Sequence, residues 1–505
     1  MVKWKEDQFR QIKQSELSRR LAELADLWLS TYFGNKVGED DYYEMQSHIN
    51  PEKFPDWSAL RSQEWFIRAQ ELAQAKRFFH WELEFPEAFQ GESRGFDAVI
   101  GNPPYDVLAE KEREEHLIEF LNYVKASKEL SPAEGKKIDL YRLIVARSIS
   151  IARSGAELGF IIPMSILADQ QTVGLRKYLI NDFNIGIIDA FPQKDDPKNR
   201  VFSEAKLPTC VIIFKNSRNG KEAFPVLIHP GKYMSEISGS YDCDKILLEM
   251  LDKDFFPIPL LQSNLAASIV KKLYSPLRQL CLMGDLIQTY QGEINETNMA
   301  SLLSLDPNAG PQVMRGGNVQ RYEFLYEARQ GINKYIDIIK YEAQFDRGKA
   351  KHTKQPRIGY QRNAALDSWR RLLFTLLPQP SYCFDSISYF PIIDGVKEYT
   401  LLAMLNSELF EWRFRLTSSN NHVSTREIAG LPGISFNSTT PAEERARLAA
   451  ELQDLYAQRK HDEILAAVND CLPQDEAGNF VAGRERSDVV HDLLAALNTM
   501  APALH

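Results

Sequence analysis

The stretch "FDAVIGNPPYDV", residues 96–107, combines residue types that could hold a small planar group. Pro103 and Pro104 cannot continue a helix or donate to a sheet ladder, so the apolar run before them is predicted to be a strand that ends there. The following loop offers the side-chain oxygen of Asn102 and the carbonyl of Pro103 as acceptors, and Tyr105 as an aromatic face. Such a set suits a planar ring with an amino group. The alternative is a proline-rich turn without chemistry.

An amine on such a ring is a poor nucleophile because its lone pair is delocalised. If two fixed acceptors hold its N–H bonds, the nitrogen can pyramidalise and turn the lone pair toward an electrophile, which stabilises the transition state. If the planar ring is a base in duplex DNA, the base must first leave the double helix, which costs a few kcal/mol. Stacking of the base on aromatic side chains offsets this cost by about 1–3 kcal/mol per base.

The elements around the loop predict an α/β fold. Short apolar strands alternate with helices, which is typical of a parallel sheet, and ligands bind such sheets outside the carboxyl ends of the strands. Strands are predicted in "AELGFIIPMSIL", "IGIIDAF" and "LPTCVIIFKN", and helices in "DLYRLIVARSISIARSG" and "TVGLRKYLIND". Upstream, the spacing predicts helices over 7–35 and 57–79.

The first predicted helix carries a broad apolar face. Its members are Leu17, Leu21, Leu24, Leu27 and Leu29.

Changes in composition and in the pattern of predicted elements along the chain predict five regions. We expect a helical N-terminal region over 1–75, a catalytic region over 76–230, a connector over 231–275, an α+β domain over 276–435 and a helical C-terminal region over 436–505. In the last region, Thr440 is the predicted N-cap of a helix, with Pro441 at its first position and Glu443 completing a capping box.

Composition indicates a soluble, globular, cytoplasmic protein. Of 505 residues, 44% are hydrophobic and 26% are charged, the N-terminus has no apolar core of a signal peptide, and no apolar run suggests a membrane span. The five cysteines are scattered without CxxC spacing, which fits a reducing cytoplasm and argues against a zinc site. No metal is expected.

A basic segment stands out against the net charge of −9. Residues 347–371 hold eight Lys or Arg and one acid, an excess of +7, so the rest of the chain carries −16. A local basic excess on an acidic protein is typical of phosphate binding, and the alternative is a solvated basic loop.

"NPPY" after "FDAVIG" resembles the signature loop of DNA methyltransferases that modify an exocyclic amine, chiefly adenine N6. The flanks "FHWELEFPEAF" and "LAELADLWLSTYFG" are similar to the large adenine methyltransferases of type IIG restriction–modification systems. This resemblance implies Asn102, Pro103, Pro104 and Tyr105 as the catalytic loop of a partial Rossmann-like methyltransferase sheet. "NRVFSEAKLPTCVIIFKNS" resembles the family's second aromatic motif, which implies that Phe202 stacks on the flipped adenine opposite Tyr105.

Later segments resemble a TaqI-like target recognition domain. They are "GDLIQTYQGEINET", "VMRGGNVQRYEF", "PRIGYQRNA" and "TLLAMLNSELFEWRFRLTSSNNHVSTREIAGLP". Side chains there that could reach bases or phosphates are Arg315, Gln320, Arg321, Lys349, Lys351, Lys354, Arg357, Gln361, Arg362 and Asn363. For any one of them the alternative is a structural or surface polar role.

The resemblance also implies S-adenosylmethionine as cofactor, bound by a glycine loop and an acidic residue upstream of NPPY. The first 95 residues contain no such loop, because the only candidate, "YFGNKVGED", follows a helix and is interpreted as a helix end. We therefore expect the downstream part of a methyltransferase, either a truncated or split gene product or a chain whose cofactor half another polypeptide supplies. The expected partners are double-stranded DNA and a second polypeptide, a restriction endonuclease, or both, but no membrane.

Two other functions stay open. The chain could be a DNA-recognition subunit with a vestigial catalytic loop, or an unrelated α/β scaffold protein. The target sequence and the oligomeric state cannot be predicted.

Overall fold

The strand predicted before the two prolines is present: β1 spans Phe96–Gly101 and ends where the loop begins. The structure is a computed structural model. It describes residues 11, 14–108, 115–135, 138–217, 222–274, 280–327, 331–345, 347–365, 368–392, 398–418, 421–434, 439–476, 480–481 and 483–500. The chain divides into two compact units, Met1–Lys245 and Ile246–His505.

The first unit contains a mixed sheet with helices before and between its strands. Its helices are α1 (Glu16–Ser30), α2 (Glu39–Ser47), α3 (Ser58–Arg61), α4 (Glu64–Lys76), α5 (Trp81–Glu84), α6 (Glu115–Ala126), α7 (Leu140–Ile151), α8 (Ser165–Ala168) and α9 (Val173–Asp182). After β1 its strands are β2 (Val107–Leu108), β3 (Ile138–Asp139), β4 (Ala152–Pro163), β5 (Asn184–Phe191), β6 (Thr209–Lys215), β7 (Ala223–Ile228) and β8 (Gly239–Asp244).

The main sheet has the strand order β1-β4-β6-β5-β7-β8. β1 pairs with β4 in parallel, and β5 with β7, whereas β6 is antiparallel to both β4 and β5. The expectation of a parallel sheet is therefore only partly correct. The chain turns back after β5 and enters the sheet between β5 and β4 in the opposite direction, while β1, β4 and β5 keep their carboxyl ends at one edge.

The two faces of this sheet differ in burial. Leu158, Phe160, Ile212 and Phe214 are fully buried on one face, and α7 and α9 lie against β4 and β5. The other face also carries apolar side chains, but Ile100 and Ile213 there are exposed.

The N-terminal helices form a small core of their own around Leu27, Met45 and Trp57. α1 begins after Ser15, whose hydroxyl accepts from the Ser18 amide at 3.2 Å. The predicted leucine face is partly wrong, because only Leu27 of the five is buried, while Leu17 and Leu21 are exposed.

Two charged residues are buried in α1 instead. Arg20 is held by carbonyls of His48, Phe54 and Pro55, and Glu23 pairs with Arg61 at 2.9 Å.

The second unit is built from short strands and helices. Its helices are α10 (Lys245–Asp252), which crosses the boundary, α11 (Asn264–Leu273), α12 (Met283–Leu286), α13 (Ile338–Gln344), α14 (Glu398–Leu405), α15 (Glu408–Arg415), α16 (Thr425–Ala429), α17 (Ala442–Ala457), α18 (His461–Cys471) and α19 (Ser487–Met500). Its strands are β9 (Leu280–Leu282), β10 (Tyr290–Gln291), β11 (Leu303–Ser304), β12 (Val313–Met314), β13 (Tyr335–Ile336), β14 (Arg357–Gln361), β15 (Phe374–Leu376), β16 (Tyr382–Cys383), β17 (Ile387–Pro391) and β18 (Pro432–Ile434).

An antiparallel sheet, β10-β17-β14-β15, forms the centre of the second unit. The α+β character expected for this part of the chain is therefore present, and helices close the described C-terminal part. The five-region division itself stays a prediction.

The capping box predicted for the C-terminal helix is wrong. α17 begins at Ala442 after Pro441, without a side-chain cap. Thr440 instead donates its hydroxyl to Asp488 at 2.7 Å, and its amide donates to the same carboxylate at 2.9 Å. These bonds tie the start of α17 to α19 instead of capping α17.

Within the described residues, no helix is long and apolar enough to span a bilayer.

Candidate active site

The predicted catalytic loop, Asn102 to Tyr105, lies between β1 and the short strand β2. Asn102 and Pro104 are exposed, whereas Pro103 is buried. The far end of the loop is fixed because β2 pairs with β3, and the Leu140 amide donates to the Asp106 carbonyl at 2.9 Å. The loop is therefore anchored at both ends and lies outside the carboxyl end of β1, as predicted.

Tyr105 is the centre of the hydrogen bonding in the loop. Its hydroxyl lies 3.2 Å from Asn102 Oδ1 and 3.2 Å from the carbonyl oxygen of Ile161 on β4. A hydroxyl has one proton, so it donates to one of these acceptors at a time. Burial raises the pKa of Tyr105 to about 12, so the hydroxyl keeps its proton at neutral pH.

Phe202 comes next to Tyr105 from a separate loop. The ring centroids are 6.0 Å apart with an angle of 68° between the planes, an edge-to-face contact. Arg200 shapes this loop, since its guanidinium donates to the carbonyls of Ser203 and Lys194. The two aromatic residues that the sequence pairs are thus neighbours, but the contact leaves no slot for a base between parallel rings.

The described residues before β1, 11 and 14–95, do not fit S-adenosylmethionine. Gly34 lies at the C-cap of a 3₁₀ turn with φ +83°, and Gly38 is the N-cap of α2, so "YFGNKVGED" connects two helices. Among the described residues that precede β1, none forms a strand from which a cofactor loop could follow. The interpretation of this segment as a helix end agrees with the structure, and no cofactor residues can be assigned.

No group of three or more His, Cys, Asp or Glu within the described residues could hold a metal ion.

The predicted DNA-binding residues differ in exposure. Lys349, Lys351 and Lys354 are exposed on one 3₁₀ helix, Gly348–Lys354. Lys349 donates to the carbonyl oxygen of Gln291 at 3.0 Å, and Lys354 pairs with Glu342 at 2.7 Å. Such exposed contacts can be exchanged for phosphate at little cost.

Arg357 requires a correction, because its side chain is completely buried. Its guanidinium nitrogens lie 3.2 Å from both carboxylate oxygens of Glu293, and the group stacks over the Tyr389 ring at 4.2 Å. Its contribution to the basic excess is therefore neutralised inside the unit, and it does not reach DNA. Arg370 and Arg371, in the same basic segment, are also buried.

The remaining candidates are half-buried or exposed and make contacts within the unit. Arg315 forms a bidentate pair with Glu296 at 2.7 and 2.9 Å. The others make these contacts: Gln320 to Gly317 O at 3.3 Å, Arg321 to Asn406 O at 2.8 Å, Gln361 to Val319 O at 2.7 Å, Arg362 to Asp385 O at 3.4 Å, and Asn363 Oδ1 to His422 Nδ1 at 2.8 Å. Their role at DNA stays a prediction.

Sequence reasoning missed two partners of the predicted residues. The Ile161 carbonyl fixes Tyr105, and Glu293 neutralises Arg357. The first is a backbone atom and leaves no sequence signal. The second lies 64 positions from its partner, so only the fold reveals the pair.

The segment that contains the predicted catalytic loop is similar to a known protein family. Residues 10–196 match the family model described as "Eco57I restriction-modification methylase". This segment is similar to restriction-modification methylases. It contains β1, the NPPY loop, β4 and β5.

Two curated relatives agree with that family. A putative type II restriction enzyme and methyltransferase of Methanocaldococcus jannaschii is 26% identical over 178 residues, 35% of this chain and 13% of that protein. A type II methyltransferase of Thermus thermophilus is 33% identical over 89 residues, 17% of this chain and 20% of that protein. The chain thus matches a fifth or less of either relative's length.

Solved structures give only distant likenesses. The type IIG restriction endonuclease BpuSI has 12% identity and a TM-score of 0.31, and the type IIL restriction-modification enzyme MmeI in complex with DNA has 11% and 0.41. Each alignment covers 80% of this chain and 54% of the other. These scores carry no argument about function.

Proposed function

We propose that the chain binds and activates adenine for N6 methylation in a specific DNA sequence, within a restriction–modification or phage-defence system. The observation that carries the proposal is the NPPY loop at the carboxyl end of β1, with Phe202 beside Tyr105, inside the segment similar to restriction-modification methylases.

In this proposal the chain's own residues hold and activate the base. Asn102 Oδ1 and the Pro103 carbonyl accept the two N–H bonds of the adenine amine, which directs its lone pair out of the ring plane. Tyr105 and Phe202 move apart to stack on the two faces of the ring. The Tyr105 hydroxyl releases Asn102 and keeps the Ile161 carbonyl as its partner.

S-adenosylmethionine would supply the methyl group. Because the described residues before β1 do not fit it, we assign its binding to residues outside the described part of the chain or to another polypeptide. The second unit would bind DNA through the exposed lysines of the 3₁₀ helix and through polar side chains near β12 and β14.

The test is a methylation assay with labelled S-adenosylmethionine and mixed-sequence DNA, using the chain alone and with the product of any adjacent upstream gene. Mass spectrometry of the digested DNA should find N6-methyladenine, and Asn102→Ala should slow its formation by about 10²–10³-fold. N4-methylcytosine in its place would contradict adenine as the substrate.

A second candidate function is DNA recognition with a vestigial catalytic loop. It is favoured by the closed form of the loop, because the Tyr105 hydroxyl contacts Asn102 Oδ1 and the Tyr105 ring contacts Phe202 edge to face, which leaves no slot for a base. Sequence-specific DNA binding without methylation in any mixture would support it.

A further inference from the structure

Between β14 and β15 the chain makes a turn whose side chains are arranged inside out. We call its described residues, 362–365 and 368–373, the β14–β15 turn. Trp369 is 82% exposed, whereas Arg370 and Arg371, which follow it directly, are buried. In folded proteins arginine is almost never fully buried without a partner, while tryptophan is highly buried on average. Burial of apolar surface therefore does not explain the shape of this turn.

Arg370 fixes the turn to the start of α15. Its guanidinium donates to the carbonyl oxygens of Asn406 and Ser407 at 2.6 and 2.9 Å. The same group pairs with Glu408, the first residue of α15, at 2.6 Å. Because these three contacts come from the residue next to Trp369, they leave the backbone that carries the indole ring little freedom.

Arg371 and Arg415 hold the rest of the turn. Arg371 Nε donates to the Ala364 carbonyl at 3.2 Å, which closes the turn across its base. Arg415 Nη2 donates to the carbonyl oxygens of Ser368 and Trp369 at 2.6 and 3.2 Å. Hydrogen bonds from charged donors are roughly twice as strong as neutral ones. The indole ring is thus presented to solvent on a rigid support.

The surroundings of the turn are basic and polar. Arg321 donates to the Asn406 carbonyl at 2.8 Å and so shares this acceptor with Arg370. Arg362 and Asn363 begin the turn. The 3₁₀ helix with its three exposed lysines precedes the other end of β14. Charge complementarity therefore favours a nucleic acid as the molecule that meets this surface, and its bases offer flat faces to an indole ring.

We propose that Trp369 is a nucleobase-stacking residue, which inserts its ring into the base stack of duplex DNA. The inference rests on the proposed function for one point, that the second unit binds DNA. Apolar side chains inserted between base steps partially unstack and kink the duplex. An indole stacks on any base, because every base has a π-face. The lysines of the 3₁₀ helix attract phosphates, whereas Trp369 supplies affinity that does not depend on salt.

The test titrates the full chain with a mixed-sequence DNA duplex and follows tryptophan fluorescence. Stacking on a base should quench Trp369, so the quenching should be lost in Trp369→Phe and retained in Trp28→Phe. Trp28 is the matched control, because it is 50% exposed and lies in the first unit. Heparin, a polyanion without bases, should bind the chain without quenching it.

The affinity for DNA gives a second readout. Trp369→Ala should weaken binding about tenfold, within the range that base–aromatic stacking supplies. The salt dependence of binding should stay unchanged, because the indole carries no charge. Leu465→Ala, which removes another exposed apolar side chain of the second unit, should change neither quantity. Circular dichroism should show both alanine variants folded, since both side chains are exposed.

Other results would overturn the proposal. They are quenching that persists in Trp369→Phe or that heparin also produces, unchanged affinity of Trp369→Ala, and a lower molecular mass of Trp369→Ala in light scattering, which would assign the ring to a contact between copies. DNA binding that depends on Trp369, without methylation in any mixture, would refute the proposed function and leave this inference intact. Methylation by the assembly with unchanged binding by Trp369→Ala would do the reverse. A chain that binds no DNA would overturn both.

Discussion

At the scale of residues, the Tyr105 hydroxyl contacts the atom that the adenine amine would need. Asn102 Oδ1 is 3.2 Å from this hydroxyl, and Tyr105 and Phe202 contact each other edge to face. Both contacts must break before a base can enter. The energy required is small, because Ile161 offers the hydroxyl a second acceptor.

Replacing Asn102 by Ala should raise the activation free energy of methyl transfer in the active assembly by about 3–4 kcal/mol. A loss of this size is typical when one preorganised contact is removed. Labelled-methyl transfer to duplex DNA measures it. Asn122→Ala, which alters an exposed asparagine of α6 in the same unit, is the control. Activity of Asn102→Ala within a few-fold of the unchanged protein would remove Asn102 from the mechanism.

The two aromatic rings can be separated from the hydroxyl by substitution. Tyr105→Phe keeps the stacking ring and frees Asn102, so base flipping should be retained, whereas Tyr105→Ala and Phe202→Ala should weaken it. Fluorescence of 2-aminopurine at the target position reports the flipped base. Duplex affinity should change little, since phosphate contacts dominate it. An undiminished fluorescence rise in both alanine variants would exclude stacking at these positions.

Glu296 makes a pH-dependent contribution to stability. The hydrogen bond from Arg315, with that from Lys334, lowers the pKa of this carboxyl from 4.5 to about 2. The stabilisation is therefore present above pH 4.5 and lost as the pH falls toward 2. The difference in unfolding free energy between the unchanged protein and Glu296→Gln should shrink over this range in urea titrations. A constant difference would show that the pair does not respond to protonation.

At the scale of elements, the basic segment divides into an exposed helix and a buried strand. Lys349, Lys351 and Lys354 lie on the 3₁₀ helix, and Arg357 begins β14. The sequence showed the charge excess but not this division, because the buried counterion Glu293 is distant in the chain.

Changing the three lysines to Ala should weaken binding to all DNA. The logarithm of the DNA-binding constant decreases with the logarithm of the salt concentration, and this slope should become less steep by up to about 0.9 for each phosphate that the variant no longer binds. Lys272, Lys340 and Lys460 are exposed outside the segment, and the same triple change there is the control. Equal effects of the two triples would place the DNA groove elsewhere.

Arg357→Ala should act on stability, since it leaves Glu293 buried without its partner. We expect a loss of about 3–5 kcal/mol in urea unfolding of the full chain. Lys354→Ala, which breaks an exposed pair, should cost at most about 1 kcal/mol. If Arg357→Ala lowered the free energy of unfolding no more than Lys354→Ala does, water or another cation would be replacing the guanidinium beside Glu293.

At the scale of the whole molecule, the main strands and helices around the NPPY loop were predicted from apolar runs and prolines. The direction of β6 was not, because its sequence fits either orientation and only its neighbours determine it. The prediction that the leucines of α1 form its buried face was partly wrong for a similar reason. Arg20 and Glu23 are buried in their place because they bind partners in the following segments. Local patterns identify elements, whereas distant contacts decide their faces and directions.

The chain alone should show little or no methyltransferase activity, because its described residues provide no cofactor loop beside Asn102. The assay compares the 505-residue chain by itself with the chain plus the upstream product. Robust methylation by the isolated chain would reveal a cofactor site among residues that we have not assigned.

The central position of β6 in the sheet determines when the sheet can be completed during synthesis on the ribosome. β6 joins the β1–β4 pair to β5, yet it is translated after all three. About 120 residues separate the start of β1 from the end of β6, which takes roughly 6–24 s at 5–20 residues per second. In the last part of that interval, after Pro163 has been added, β4 lacks the neighbour that fixes its second edge. Until Lys215 has left the exit tunnel, β4 and β5 each keep an edge without its native neighbour, and this is the interval in which either edge can pair with a wrong strand.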